Sequence, residues 1–236
     1  MQSPDQDGMV DHRQKGEVLE GGRRPLWRTP ILPLPAALLY PGRKLPLHVR
    51  DFHFREMLKK ARLEDSLVSL ATLKPGFAPH KRHLEPVYEV VGVGRVVDLI
   101  TYSQGVHVTF EGISRGRLVS EEREGPARVG LVEPLVEKDG TEEVERELAI
   151  LLREVGDLGP FARREAASLT PGQIADLVNA HLPHPVRVRQ EAFEILDVAR
   201  RIRFVRNLFG ETRRAQGARR VFSLEGSPGG RGRPRF

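Results

Sequence analysis

Ile31-Leu-Pro-Leu-Pro-Ala-Ala-Leu-Leu-Tyr-Pro-Gly-Arg-Lys-Leu-Pro-Leu-His-Val49 decides how the chain is read. Two Leu-Pro-Leu pieces, Leu32 to Leu34 and Leu45 to Leu47, bracket a Tyr40-Pro41-Gly42 turn. Proline removes a ladder donor, so strands that carry it belong at a sheet edge or a strand start. The segment predicts two short edge strands meeting around a turn. Asp51 then caps a helix with Phe54, Met57, Leu58 and Ala61 at helical spacing, ending near Glu64-Asp65.

Working outward, residues 66–73 have the length and β-branching of a buried strand, stopped by Lys74-Pro75-Gly76. Residues 75–87 read as a loop. Tyr88 to Thr101 is valine-rich and predicts one long strand, bent at Gly92 or Gly94. After the Ser103-Gln104-Gly105 turn, Val106, Val108 and Phe110 alternate with polar residues, the period of a half-buried strand. Gly112 to Gly116 predicts a bulge or corner, and Ala127 to Leu135 a last strand. From Asp139 the period becomes helical. Val144, Leu148, Leu151, Leu152 and Val155 share a face, and Gly156 stands where a C-terminal cap belongs. Thr170-Pro-Gly-Gln173 is a capping box, and a long helix is expected from about Val186 to Phe209. Strands first and helices after imply an α+β chain. Its expected parts are a disordered 1–28, a β-rich unit over 29–136, a helical bundle over 139–210 that ends in the long helix, and a disordered Arg/Gly-rich tail over 211–236.

The net charge of +6 lies mostly in that tail, where seven arginines against two glutamates give +5. The body is nearly neutral and only 6% of residues are aromatic, which argues against a stacking-rich nucleic-acid surface. The chain has no cysteine, which excludes disulfides and thiolate metal sites. No apolar run approaches the roughly 20 residues of a membrane span, and the amino terminus lacks a secretory pattern. A cytoplasmic location is the expectation.

Gly112-Ile-Ser114-Arg-Gly116 matches the G-x-S-x-G nucleophile elbow, with Asp176 and His181 following in hydrolase order. The elbow needs a strand running into a helix, and here a strand continues, so a β corner is the preferred reading. No P-loop, dinucleotide fingerprint or S-x-x-K pattern occurs, so no cofactor is expected. His80 with His83, and His181 with His184, have a spacing a metal could use. Neither pair lies on a convincing helical turn, and solvated histidines are preferred. His48, on an edge strand, reads as a structural group.

Several ordered pieces resemble the amino-terminal, substrate-binding domain of ATP-dependent Lon proteases. The opening segment is similar to that family's start, and Phe54-Arg-Glu-Met57 to its first helix. Val93-Gly-Arg-Val-Val-Asp98 and Phe110-Glu-Gly-Ile-Ser-Arg-Gly-Arg117 resemble its central strands. Ile174 to Leu182 and Gln190 to Asp197, with Arg200-Arg201, resemble its helical half. The likeness covers about residues 31–209 and implies a PUA-like β pseudo-barrel followed by a helical bundle. Arg50 departs from the family, which often has Phe followed by an acidic residue there. The family's ATPase module and Ser/Lys dyad have no counterpart in these residues, so no catalytic residue carries over. The resemblance implies a non-enzymatic, ATP-independent polypeptide-binding or adaptor domain that uses apolar surface between the β unit and the bundle. A protease or chaperone and a second copy of the chain are its expected associates. Phe77, Tyr88 and Tyr102, beside loops near β edges, are candidate contacts. The alternative is RNA or ribonucleoprotein binding through the β unit and Arg213, Arg214, Arg219 and Arg220.

Overall fold

The computed structural model describes residues 25–77, 85–124, 127–155 and 168–225. Six strands lie within residues 27–134: β1 (Trp27–Leu34), β2 (Lys44–Val49), β3 (Leu67–Thr72), β4 (Val90–Tyr102), β5 (Gly105–Glu124) and β6 (Ala127–Pro134). One helix, α1 (Phe52–Leu63), interrupts them. Four more follow: α2 (Glu142–Val155), α3 (Pro171–His181), α4 (Val186–Glu194) and α5 (Val198–Glu225). The mixed α+β class and the order of strands before helices agree with the expectation.

The sheet runs β2-β5-β4-β3-β1-β6, and β6 pairs back onto β5. The 20 residues of β5 make that closure. Its first half lies between β2 and β4, and its second half opposes β6. β2 stands at the edge, as its proline requires. β1 does not. It pairs through Trp27–Pro30 with β6 and through Ile31–Leu34, in parallel, with β3. Each half with a proline therefore bonds on one side only, which satisfies the donor rule inside the sheet.

Nor do β1 and β2 meet around the turn. Residues 35–43 instead lie across β4 and β5, and glycine makes this approach feasible. A Cβ at Gly92 would stand 2.3 Å from the Leu39 carbonyl oxygen, and one at Gly112 only 2.0 Å from that of Tyr40. The connector also bonds to β5, with Gly42 N donating to the Gly112 carbonyl at 2.8 Å and Gly112 N to that of Arg43 at 2.9 Å. The first glycine of the G-x-S-x-G match thus serves close backbone packing. The predicted bulge is present: Val93 faces Ser114 and Gly94 faces Gly112, so Ile113 is the extra residue.

α1 starts where Asp51 accepts from His53 N (2.9 Å) and Phe54 N (3.2 Å), and it buries Phe54, Leu58 and Ala61 on the sheet. These join Leu32, Val68, Val96, Val108 and Phe110 in one core. The helices close around Val144, Leu151, Ala175, Val178, Ala192, Val198, Ile202 and Val205. Leu152 is exposed and Glu147 buried, so the apolar face of α2 is narrower than its periodicity suggests.

Two corrections concern the long helix. It is not continuous from Val186. It breaks at Ile195–Asp197, because Lys138 inserts its backbone there. Lys138 N donates to the Leu196 carbonyl (2.9 Å) and Val198 N to the Lys138 carbonyl (3.0 Å). Asp197 then caps the new start by accepting from Arg200 N at 2.9 Å. Nor does the helix stop at Phe209, and the tail is not irregular from residue 211: the backbone of α5 stays helical to Glu225. Ala, Arg and Glu favour helix, and Arg213 Nη1 donates to the Glu154 carbonyl at 3.1 Å. Gly156, His80 and His83 lie outside the described residues, as do the side chains of Arg219 and Arg220. Among the described residues no helix is long and apolar enough to cross a membrane.

Candidate functional site

The β unit and the helices meet along a seam with a closed and an open end. At the closed end, Phe193 of α4 packs edge-on against Tyr40, ring centroids 5.4 Å apart, and lies under Arg115 of β5 at 4.6 Å. Arg115 is 1% exposed. Its Nε donates to the Phe193 carbonyl at 2.8 Å, its Nη2 to Asp176 at 2.6 Å, and its Nη1 to Glu137. Arg201 of α5, 0% exposed, donates to Glu137 at 2.8 Å and lies 3.4 Å from Asp176. Two guanidiniums thus face two carboxylates. Burial by itself would raise the Glu137 carboxyl, but hydrogen bonds and charge from Arg201 and Arg115 hold it below its ordinary 4.5. Burial, then the Asp176 charge, pushes Tyr40 far up, so its hydroxyl stays neutral and pairs with Asn179 at 2.9 Å.

The open end is a cleft of about 340 Å³ between the connector and α3–α4. Ala36, Ala37, Leu38, Leu39, Tyr40, Leu45 and Ala180 supply apolar wall, and Arg43, Lys44, His181 and Arg189 the polar groups. None of the lining residues is a carboxylate. A second groove of about 560 Å³ runs beside α1, with Phe52, Met57, Pro30 and Val129 on its walls. There Arg28 and Lys60 are matched by Glu56 and Glu64, so its fixed charge balances.

The hydrolase constellation is not assembled. Ser114 Oγ donates to the Arg115 carbonyl at 2.8 Å, Asp176 is committed to the two arginines, and His181 Nδ1 donates to the Leu177 carbonyl at 2.8 Å. His184 Nε2 instead contacts the Leu208 carbonyl at 3.2 Å and Thr212 at 3.1 Å, tying α5 to the loop before α4. Among the described residues no group of three or more His, Asp or Glu side chains converges as metal ligands would.

Of the aromatic candidates, Phe77 and Tyr88 flank the β3–β4 connection, where Lys74 N donates to the Pro86 carbonyl and Tyr88 N to that of Thr72, both at 2.9 Å. Tyr102 sits at the far end of β4, on the order of 40 Å from Tyr88 along an extended strand. It is 49% exposed and packs edge-on with His107, ring centroids 4.8 Å apart, while His107 faces His48 at 4.6 Å. Phe77 and Tyr88 thus lie before the start of β4 and Tyr102 at its end. Sequence reasoning passed over Lys44 and Arg189, which come from β2 and α4 and share no local pattern. Arg213 is held by packing, its guanidinium 5.9 Å from the Phe209 ring centroid.

A closed sheet and a helical lobe, joined by a buried ion network and left open along one cleft, describe a two-lobed α+β domain. The chain belongs to the family of the ATP-dependent protease La (LON) substrate-binding domain, whose model matches residues 28–209. It is 29% identical over 201 residues to Lon protease 2 of Myxococcus xanthus, covering 78% of this chain and 24% of that protein. It is also 29% identical over 205 residues to Lon protease 4 of Sorangium cellulosum, covering 83% and 25%. The chain thus spans about a quarter of the length of the curated relatives it matches. Among solved structures, the N-terminal domain of a Mycobacterium avium complex Lon protease superposes with a TM-score of 0.61 at 18% identity, covering 78% of this chain and 98% of that one. A Lon N-terminal domain protein from Xanthomonas campestris gives 0.55 at 17%, covering 75% and 95%.

Proposed function

We propose that this chain binds exposed polypeptide segments in the cleft between its lobes and acts as a non-catalytic adaptor. The observation that carries the reading is the cleft itself. It pairs apolar wall (Leu38, Leu39, Leu45, Ala180) with polar side chains at the junction of two lobes, in a family named for substrate binding. Such a mixture suits an extended segment, because apolar side chains can be buried while polar groups engage its backbone. Phe77 with Tyr88, and Tyr102 separately, are proposed as outlying contacts for longer segments. A protease or chaperone would then act on what is held.

The test is capture of a chemically unfolded, labelled model protein, together with a peptide array, by the full chain and by an Ala180→Trp variant that fills the cleft. Binding by the first and loss in the second are expected. Absence of peptide binding, with tight and steeply salt-dependent RNA binding instead, would overturn the reading in favour of a nucleic-acid module.

A further inference from the structure

From the charge of the cleft we infer that it selects acidic polypeptide segments, those with an apolar side chain flanked by Asp or Glu. The inference rests on the cleft being the polypeptide site and adds the chemistry of the partner. Arg43, Lys44 and Arg189 line one cavity whose remaining side chains are apolar or histidine, and no carboxylate shares it.

Neither Lys44 nor Arg189 is in an ion pair among the described residues. The Arg189 guanidinium makes one long hydrogen bond, from Nη2 to the Ala36 carbonyl at 3.3 Å, and its Nε is buried without a partner, so its charge is not spent on a carboxylate. Lys44 stands on the edge strand β2, exposed, at the cleft rim.

Two other charged clusters among the described residues are balanced. The buried seam sets Arg115 and Arg201 against Glu137 and Asp176, and the α1 groove sets Arg28 and Lys60 against Glu56 and Glu64. A concavity lined by cations and by no carboxylate, although Glu111 stands opposite Lys44 on β5 outside the lining, and walled by low-dielectric apolar surface, concentrates field and favours an anionic partner. Lysine-flanked segments would meet like charge, which supplies discrimination as well as affinity.

The deciding experiment is fluorescence anisotropy on the full chain. Three labelled peptides share one Leu/Phe centre and carry glutamate, serine or lysine flanks. At low salt the glutamate peptide is expected to bind about tenfold or more tighter than the lysine peptide, and the gap to narrow as salt rises. Lys44→Glu with Arg189→Glu should invert that order. Lys44→Ala, on an exposed strand position, should narrow it if the double variant fails to fold. Equal binding of all three peptides, abolished by Ala180→Trp, would overturn the charge selection while leaving the cleft as the polypeptide site. Binding that survives Ala180→Trp, or no binding of any peptide, would overturn the cleft reading and this inference with it.

Discussion

The two ends of the seam use the same kinds of residue to opposite effect. At the closed end Arg115 and Arg201 are buried, paired with Glu137 and Asp176, and capped by Phe193. At the open end Lys44 and Arg189 border a cavity that contains no carboxylate. Buried charge must find its counter-charge inside the chain, because desolvation costs several kcal/mol per ion. Charge beside solvent has no such obligation and remains available. The difference teaches that the location of counter-charges, rather than the count of arginines, separates scaffold from candidate site.

The largest expected effect breaks the closed end. Arg115→Ala leaves Asp176 and Glu137 under-compensated and should cost about 3–5 kcal/mol in denaturant unfolding. Lys44→Ala, by contrast, should stay within about 0.5 kcal/mol, as exposed substitutions usually do. If the two variants cost the same, the distinction between the ends fails. Thr170→Ala lies between them. It removes the cap on Gln173 N (3.3 Å) at the start of α3, which carries Asp176, and should cost about 1 kcal/mol.

The acid limb of stability offers a further probe of the closed end. Glu137 is held below its ordinary 4.5 in the folded state, so the unfolded chain takes up the proton first as pH falls. Its stabilisation is complete above about 4.5 and is lost as pH drops through the folded value. Glu137→Gln should flatten that part of the pH–stability curve. The smallest effect concerns neither end. Desolvation, then the neighbouring His107 and Arg50, hold His48 below 6.5, so its NMR titration midpoint should lie under that value. Removing the neighbour with His107→Gln should raise it. An unchanged midpoint would detach His48 from the pair.

Local signals carried much of the architecture. Asp51 and the Thr170–Gln173 box announced helix starts, and Gly112–Gly116 announced a bulge, because caps and bulges are written within a few residues. The placement of residues 35–43 across the sheet, the break at Ile195–Asp197, and the continuation of α5 to Glu225 were not legible in the same way. The first two depend on partners distant in sequence, β5 for the connector and Lys138 for the break.

What the sequence determined alone was the α+β class, most element positions and the family likeness, since periodicity, capping and turn chemistry act over a few residues. Only the tertiary structure decided that Asp176 serves a buried ion network instead of Ser114. Likewise, only folding brings Lys44 and Arg189, 145 positions apart, to one cleft. Electrostatic pairing depends on distance in space, and no local pattern records which charges folding will leave without a partner.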